Sequence, residues 1–237
     1  MYTNKIIIWG AEMKKFAVVL LIVLLVGCSQ VAVSKQGGRS ANFIGDSITE
    51  QGFFEHTEYP KVVKSTLGLS SIENYGVGGS SLCLRNEEFN SNYPPLISRW
   101  EEIKGADIHF ILIGTNDYSF QVPIGEDNST NLKEFNGCLN IVLGGLKEKY
   151  PDDLIVVSTI LKRRESDLPI PLTKYNDAIK SKAEEYDLAL LDGYNIDGLD
   201  IGNDYDGKIT DDRLHPNKKG AKLLGEGIAD FLESKFD

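Results

Sequence analysis

Several things are missing from this chain of 237 residues, and each absence narrows what it can be. No uninterrupted apolar run reaches the roughly 20 residues that a helix needs to cross a hydrocarbon core. No repeat of about 20–50 residues recurs, which excludes solenoids and propellers, and no low-complexity tract is present. Positive charge is scarce: 25 Lys and Arg stand against 35 Asp and Glu, for a formal net charge of −10. Such a surface repels phosphate backbones, so no nucleic-acid partner is expected. The Gly-x-Ser-x-Gly elbow is absent, which argues against the larger α/β-hydrolase fold. Only three histidines occur, at 56, 109 and 215. What is present is a globular composition, 41% hydrophobic, sufficient for one sizeable core.

The acidic stretch Asp200 to Asp212 invites a calcium reading. Setting Gly207 at the invariant glycine of an EF-hand loop puts Gly202 at the first ligand position and Arg213 at the last. Both positions need carboxylates, so the stretch reads as a solvated loop and no metal is expected.

The N-terminus carries a short basic start, Met13-Lys14-Lys15, followed by an apolar run from Phe16 to Val26. That combination fits an export signal. The run ends Leu25-Val26-Gly27-Cys28, which resembles the lipobox of bacterial lipoproteins. The resemblance implies cleavage before Cys28, acylation of its thiol, and a lipid-anchored protein of the bacterial cell envelope. A signal anchor or an ordinary cleaved signal is the alternative. Residues 1–12 read as an upstream extension with Met13 as initiator, 13–27 as the signal, 28–40 as a polar, Gly-rich tether, and 41–237 as the folded domain. Removing residues 1–27 takes away Lys5, Lys14, Lys15 and Glu12 and leaves a net charge of −12. Cys83 and Cys138 either pair, as an oxidising compartment allows, or remain buried free thiols.

From Ala41 onward, short apolar runs alternate with longer amphipathic ones. The runs Ala41–Ile44, Ser71–Val77, Ile108–Ile113, Leu154–Ile160 and Leu188–Leu191 read as strands, the first weakened by Asn42. Helical spacing marks Tyr59–Leu67, Leu96–Ile103, Leu132–Tyr150, Thr173–Tyr186 and Pro216–Phe236. This alternation predicts a single α/β sandwich with about five parallel strands covered on both faces. Ligands of such sheets bind beyond the carboxyl ends of the strands.

Four segments fall there or just before the last helix. Gly45-Asp46-Ser47 follows the first strand and places a hydroxyl at a sharp turn; the ordinary reading of such a Ser is a helix cap. The run Asn74 to Ser80 ends in consecutive glycines, which expose amides to a ligand or simply form a turn. Gly114-Thr115-Asn116-Asp117 offers an amide donor, or a plain Asx-turn. Asp212-Arg213-Leu214-His215 lets a carboxylate hold the imidazole Nδ1–H and leaves Nε2 free as a base; alone, it could equally be a surface ion pair. Asp211 has the wrong spacing for that role. His109 lies within a strand run and reads as packed, and His56 reads as a solvated loop residue.

Taken in order, the four segments resemble the blocks of the SGNH, or GDSL-type, hydrolases over about residues 41–237. The resemblance implies a flavodoxin-like α/β/α sandwich and a cofactor-free serine esterase working through an acyl-enzyme. It implies Ser47 as nucleophile, His215 as base and Asp212 as orienter, with Ser47, Gly79 and Asn116 holding the oxyanion. Acetyl or other short acyl esters of a glycan or small molecule are the expected substrates, and lipase or thioesterase chemistry is the runner-up. The rivals from another class are a carbohydrate-binding envelope lipoprotein with a dead site and a flavodoxin-like envelope protein without catalysis.

Overall fold

The computed structural model of the chain describes residues 38–50 and 58–236. The upstream extension, the signal, Cys28, most of the tether and His56 lie outside the described residues. Within them, five strands form one sheet: β1 (Ser40–Gly45), β2 (Ser71–Gly76), β3 (Ile108–Leu112), β4 (Leu154–Ser158) and β5 (Ala189–Leu191). The order is β2-β1-β3-β4-β5 and every pairing is parallel. The helices are α1 (Tyr59–Leu67), α2 (Glu87–Asn92), α3 (Thr115–Ser119), α4 (Phe135–Lys149), α5 (Leu172–Glu185) and α6 (Lys218–Glu233). None of the described helices is long and apolar enough to cross a membrane.

The strands read as continuous apolar runs because both faces of the sheet are covered. Alternation then sorts their side chains between two cores. Phe43, Ile108, Phe110, Leu112 and Val156 point to the face closed by Tyr59 and Val63 of α1 and by Leu224, Ile228 and Leu232 of α6. There Phe43, Tyr59 and Phe110 pack ring against ring, with centroids 5.7–6.2 Å apart. Ile44, Ile111, Ile155 and Val157 point the other way, against Phe135, Leu139, Val142 and Leu146 of α4 and Tyr175 and Ile179 of α5. The result is the expected three-layer α/β/α sandwich.

Asn42, which interrupts the first apolar run, is buried without loss of hydrogen bonding. Its Nδ2 donates to the Lys104 carbonyl at 2.6 Å and faces His109 Nδ1 at 3.3 Å. His109 is its register partner on β3; the imidazole stacks on Tyr150 and its Nε2 meets Asp153 at 3.0 Å. These contacts set the Nε2–H tautomer, and His109 is fully engaged in packing.

Some sequence expectations are corrected. Ser40, assigned to the tether, opens β1, its N–H and Oγ both donating to the Asp107 carboxylate at 2.8 and 2.7 Å. The helix expected over Leu96–Ile103 is instead two single 3₁₀ turns, Leu96–Ser98 and Trp100–Glu102, broken at Arg99. Leu96, Ile97 and Ile103 are buried there, so the apolar spacing reports core contact without a helix. The helices α2 and α3, six and five residues long, are too short to show a period. Of the two readings left open for the cysteines, the structure takes pairing: Cys83 and Cys138 form a disulfide with Cα atoms 5.7 Å apart, tying the loop after β2 to the first turn of α4.

That bridge closes a loop with a sequence separation of 55. Cys138→Ser is therefore expected to lower the unfolding free energy by about 2–5 kcal/mol. Urea melts of parent and variant measure it, and parent melts with and without dithiothreitol should differ by a similar amount. Equal midpoints in all three would mean that the cross-link does not constrain the unfolded chain.

Candidate active site

In this sheet order, the connections from β1 and β3 leave in opposite directions and open a crevice beyond their carboxyl ends. Ser47 enters it two residues after β1. The turn that carries it is closed by the Thr49 and Glu50 amides donating to the Asp46 carbonyl at 3.1 and 2.8 Å. Its tightness is why residue 45 is glycine: a Cβ there would collide with Thr49 Oγ1 and the Leu112 carbonyl oxygen. Asn74 clamps the turn to β2, donating to the Thr49 carbonyl at 2.8 Å and accepting from the Gly76 amide at 2.8 Å.

Ser47 Oγ lies 2.9 Å from His215 Nε2, across 168 residues of sequence. On the other side of the ring, His215 Nδ1 lies 2.7 Å from Asp212 Oδ2. The remaining Asp212 oxygen accepts the amides of His215 at 2.7 Å and Leu214 at 2.9 Å. Partial burial works to raise the Asp212 carboxyl, but these amides and the imidazole outweigh it and hold the group below its ordinary range. Asp212 is thus an anion at neutral pH, aimed at Nδ1.

The Asp-x-x-His turn is itself built by side chains that its own motif does not announce. Asp204 accepts the amides of Lys208, Ile209 and Thr210 at 3.0, 2.6 and 2.9 Å. Asn217 caps α6 by accepting from Lys219 and Gly220, while its own amide reaches back to the Ile209 carbonyl at 2.8 Å. The acidic stretch is therefore a folded loop held by carboxylate-to-amide bonds. No group of metal-ligating side chains occurs among the described residues.

Gly79 adopts φ +71°, a conformation that other residues rarely take, and a Cβ there would press on the Tyr93 ring at 2.6 Å. Its amide and that of Ser47 make no hydrogen bond among the described residues. Asn116 sits in the first turn of α3 and donates from Nδ2 to the Ser80 carbonyl at 2.8 Å, leaving the second N–H of that amide to serve a ligand. Ser47, Gly79, Asn116 and His215 together line one cleft of about 540 Å³. Phe89, Tyr93 and Phe120 form its apolar wall, with Tyr93 and Phe120 about half exposed.

Three positioning residues escaped the sequence reading. Arg99 donates to the carbonyls of Tyr75 and Gly45 at 2.8 and 3.0 Å and to Ser80 Oγ at 3.2 Å, fastening the ends of β1 and β2. Asp117 is buried and accepts the Leu82 and Cys83 amides at 2.7 and 3.1 Å. Arg163 donates to the Thr115 carbonyl and hydroxyl at 2.9 and 2.7 Å, just before Asn116. Asp117 closes the Gly114–Asp117 segment, but nothing in the local sequence marks these three roles, because each acts on a different loop.

A parallel α/β/α sandwich whose switch-point crevice aligns Ser, His and Asp by hydrogen bonds has the form of a serine hydrolase. The chain belongs to the GDSL-like lipase/acylhydrolase family, whose model matches residues 43–223. Solved structures share the fold. A protein from Lactobacillus plantarum is 22% identical, with a TM-score of 0.75 over 85% of this chain and 99% of that one. A GDSL-like lipase candidate from Bacteroides uniformis is 18% identical, with a TM-score of 0.65 over 84% and 97%. A variant of an acetyl xylan esterase from Geobacillus stearothermophilus is 23% identical, with a TM-score of 0.59 over 83% and 95%. No curated protein sequence matches the chain.

Asp46, beside the Ser, generates a pH prediction. Its full burial, opposed by the Ile48 amide, pushes its carboxyl from 3.8 up to about 7. Below the unfolded value both states are protonated and its stabilising contribution is complete; as pH rises toward 7 the unfolded chain ionises first and that contribution is lost. Asp117, raised to about 6, acts with the same sign. His109, lowered chiefly by burial, acts oppositely and cancels when two variants are compared. Asp46→Asn should therefore remove roughly 2–3 kcal/mol of the stability loss between about pH 5 and 8. Urea unfolding at both pH values, for parent and variant, gives the difference; identical slopes would mean that Asp46 is ionised in the fold.

Proposed function

We propose that Ser47, His215 and Asp212 act as nucleophile, base and orienter in hydrolysing carboxylic esters. The unbroken chain Asp212 Oδ2–His215–Ser47 Oγ, with contacts of 2.7 and 2.9 Å, carries this reading. His215 takes the Ser47 proton as Oγ attacks the ester carbonyl, then gives it to the leaving alcohol. Water repeats the sequence on the acyl-enzyme, and the acid and free Ser47 result. The carbonyl oxygen, charged in the tetrahedral intermediate, is received by the Ser47 and Gly79 amides and by Asn116. Loss of one such donor typically costs about 2.7–4 kcal/mol of barrier. A binding protein with an idle site has no use for a carboxylate spent on imidazole Nδ1, and this disfavours the carbohydrate-binding alternative.

The substrate we infer is a short acyl ester, acetyl foremost, on a glycan or small alcohol. The cleft is small and open, and its aromatic wall suits the apolar face of a sugar ring. The acetyl xylan esterase among the similar folds supports deacetylation as a use of this architecture. With p-nitrophenyl esters of rising chain length and with acetylated xylan, the parent should favour acetate. Ser47→Ala should lose about 10³-fold or more in kcat at unchanged circular dichroism, and Asp212→Asn about 10²–10⁴-fold. Retained turnover in folded Ser47→Ala would place the nucleophile elsewhere, and a preference for long chains would favour the lipase reading.

We further infer that Cys28 carries a lipid anchor and that the domain works in the cell envelope. The Cys83–Cys138 disulfide supports an oxidising compartment. Labelled palmitate should enter the parent and not Cys28→Ser, which should leave the membrane fraction. Label in both would point to a different anchor.

A further inference from the structure

A second cavity, of about 330 Å³, lies beside the Asp212–His215 turn. Lys162, Arg163, Arg164 and Arg213 line it against one carboxylate, Glu165. This reverses the acidic balance of the chain, whose formal net charge is −10. Lys162 is neutralised by Asp200 at 2.6 Å. Among the described residues, no carboxylate comes within ion-pair range of Arg163, Arg164 or Arg213. Asp46 and Asp212 favour the charged form of Arg163 from beyond ion-pair range, but like charges gathered with so little neutralisation still repel one another, so something must hold them there.

Arg163 and Arg213 are held by different devices. Arg163 Nη1 is bound to Thr115 and to Ser119 Oγ, the latter at 2.8 Å, while its Nε is buried with no hydrogen-bond partner. Arg213 has φ +60°, a left-handed conformation that costs a side-chain-bearing residue energy. Its guanidinium lies 4.5 Å from the centroid of the Tyr205 ring, and its carbonyl accepts the Arg164 amide at 2.9 Å. That last bond ties the two arginine-bearing segments together across the cavity.

We propose that this cavity binds an oxyanion, a carboxylate or phosphate group, received by the guanidinium groups of Arg164 and Arg213. Guanidinium suits such groups because its planar fork matches two oxygens at once. The site adjoins the reaction centre on two sides: Arg163 grips the residue before Asn116, and Arg213 stands between Asp212 and His215. The anion belongs either to the substrate itself, beyond its ester, or to a free effector. The binding does not depend on the ester-hydrolase reading.

Calorimetric titration of the full chain at low ionic strength, with inorganic phosphate and with glucuronate, tests it. The expected result is saturable binding of one anion per chain, weakened about tenfold or more by Arg164→Gln and by Arg213→Gln and unchanged in Ser47→Ala. Arg164 is exposed, so its replacement leaves the core intact. No saturable heat with either anion, or equal affinity in folded Arg164→Gln, would overturn the proposal. A pair of acetate esters, one with a carboxylate on the alcohol part and one with the neutral amide, then identifies the source. Preference for the charged ester, lost in Arg164→Gln with the neutral rate retained, puts the anion in the substrate; equal rates beside intact phosphate binding make it a free ligand. Phosphate binding without turnover of any ester would sink the hydrolase reading and leave the anion site standing.

Discussion

The whole arrangement hangs on β1 lying between β2 and β3. A strand in that position is buried on both faces and hydrogen-bonded on both edges, so its carboxyl end has almost no freedom. Ser47 inherits that rigidity through a turn that neighbouring loops close from several sides. Asn74 binds it to β2, and Arg99 reaches the carbonyls at the ends of β1 and β2 together. The hydroxyl is thereby held where a parallel sheet of this order has its crevice.

His215 depends on a different kind of support. It sits in an irregular loop, and irregular backbone stays in one place only when its amides find acceptors. Here carboxylates provide them: Asp204 takes three amides, Asp212 takes two, and Asn217 closes the neck at α6. The acidity of this region is thus largely structural. Asp212 does both jobs, with one oxygen on the backbone and the other on the imidazole. On the opposite flank Asp200 pairs with Lys162, and the arginines beside it have no carboxylate within ion-pair range among the described residues, which is the basis of the proposed anion site.

Much of this could be read from the chain. The five strands are legible because burial on both faces turns them into apolar runs, and α1, α4, α5 and α6 because each lays a stripe on the core. The four site segments are legible because parallel sheets put their chemistry after strand ends, in chain order. Leu96–Ile103 misled because two 3₁₀ turns can bury apolar residues at nearly helical spacing. The short α2 and α3 lie below the length at which a period exists. The positioning roles of Arg99, Asp117 and Arg163 were invisible because a polar side chain on one loop serves backbone groups on another, 24–54 residues away.

By itself, then, the sequence determined the alternation of strands and helices, and the residue types offered at each strand end. Local properties suffice for those: burial pattern, turn chemistry, and the glycine that a tight bend demands at residue 45. Only the tertiary structure decided which of those residues meet. The 2.9 Å approach of Ser47 to His215, the pairing of Cys83 with Cys138, and the convergence of arginines beside the site all join distant segments. Such contacts follow from strand order and loop closure. No local stretch of sequence contains that information.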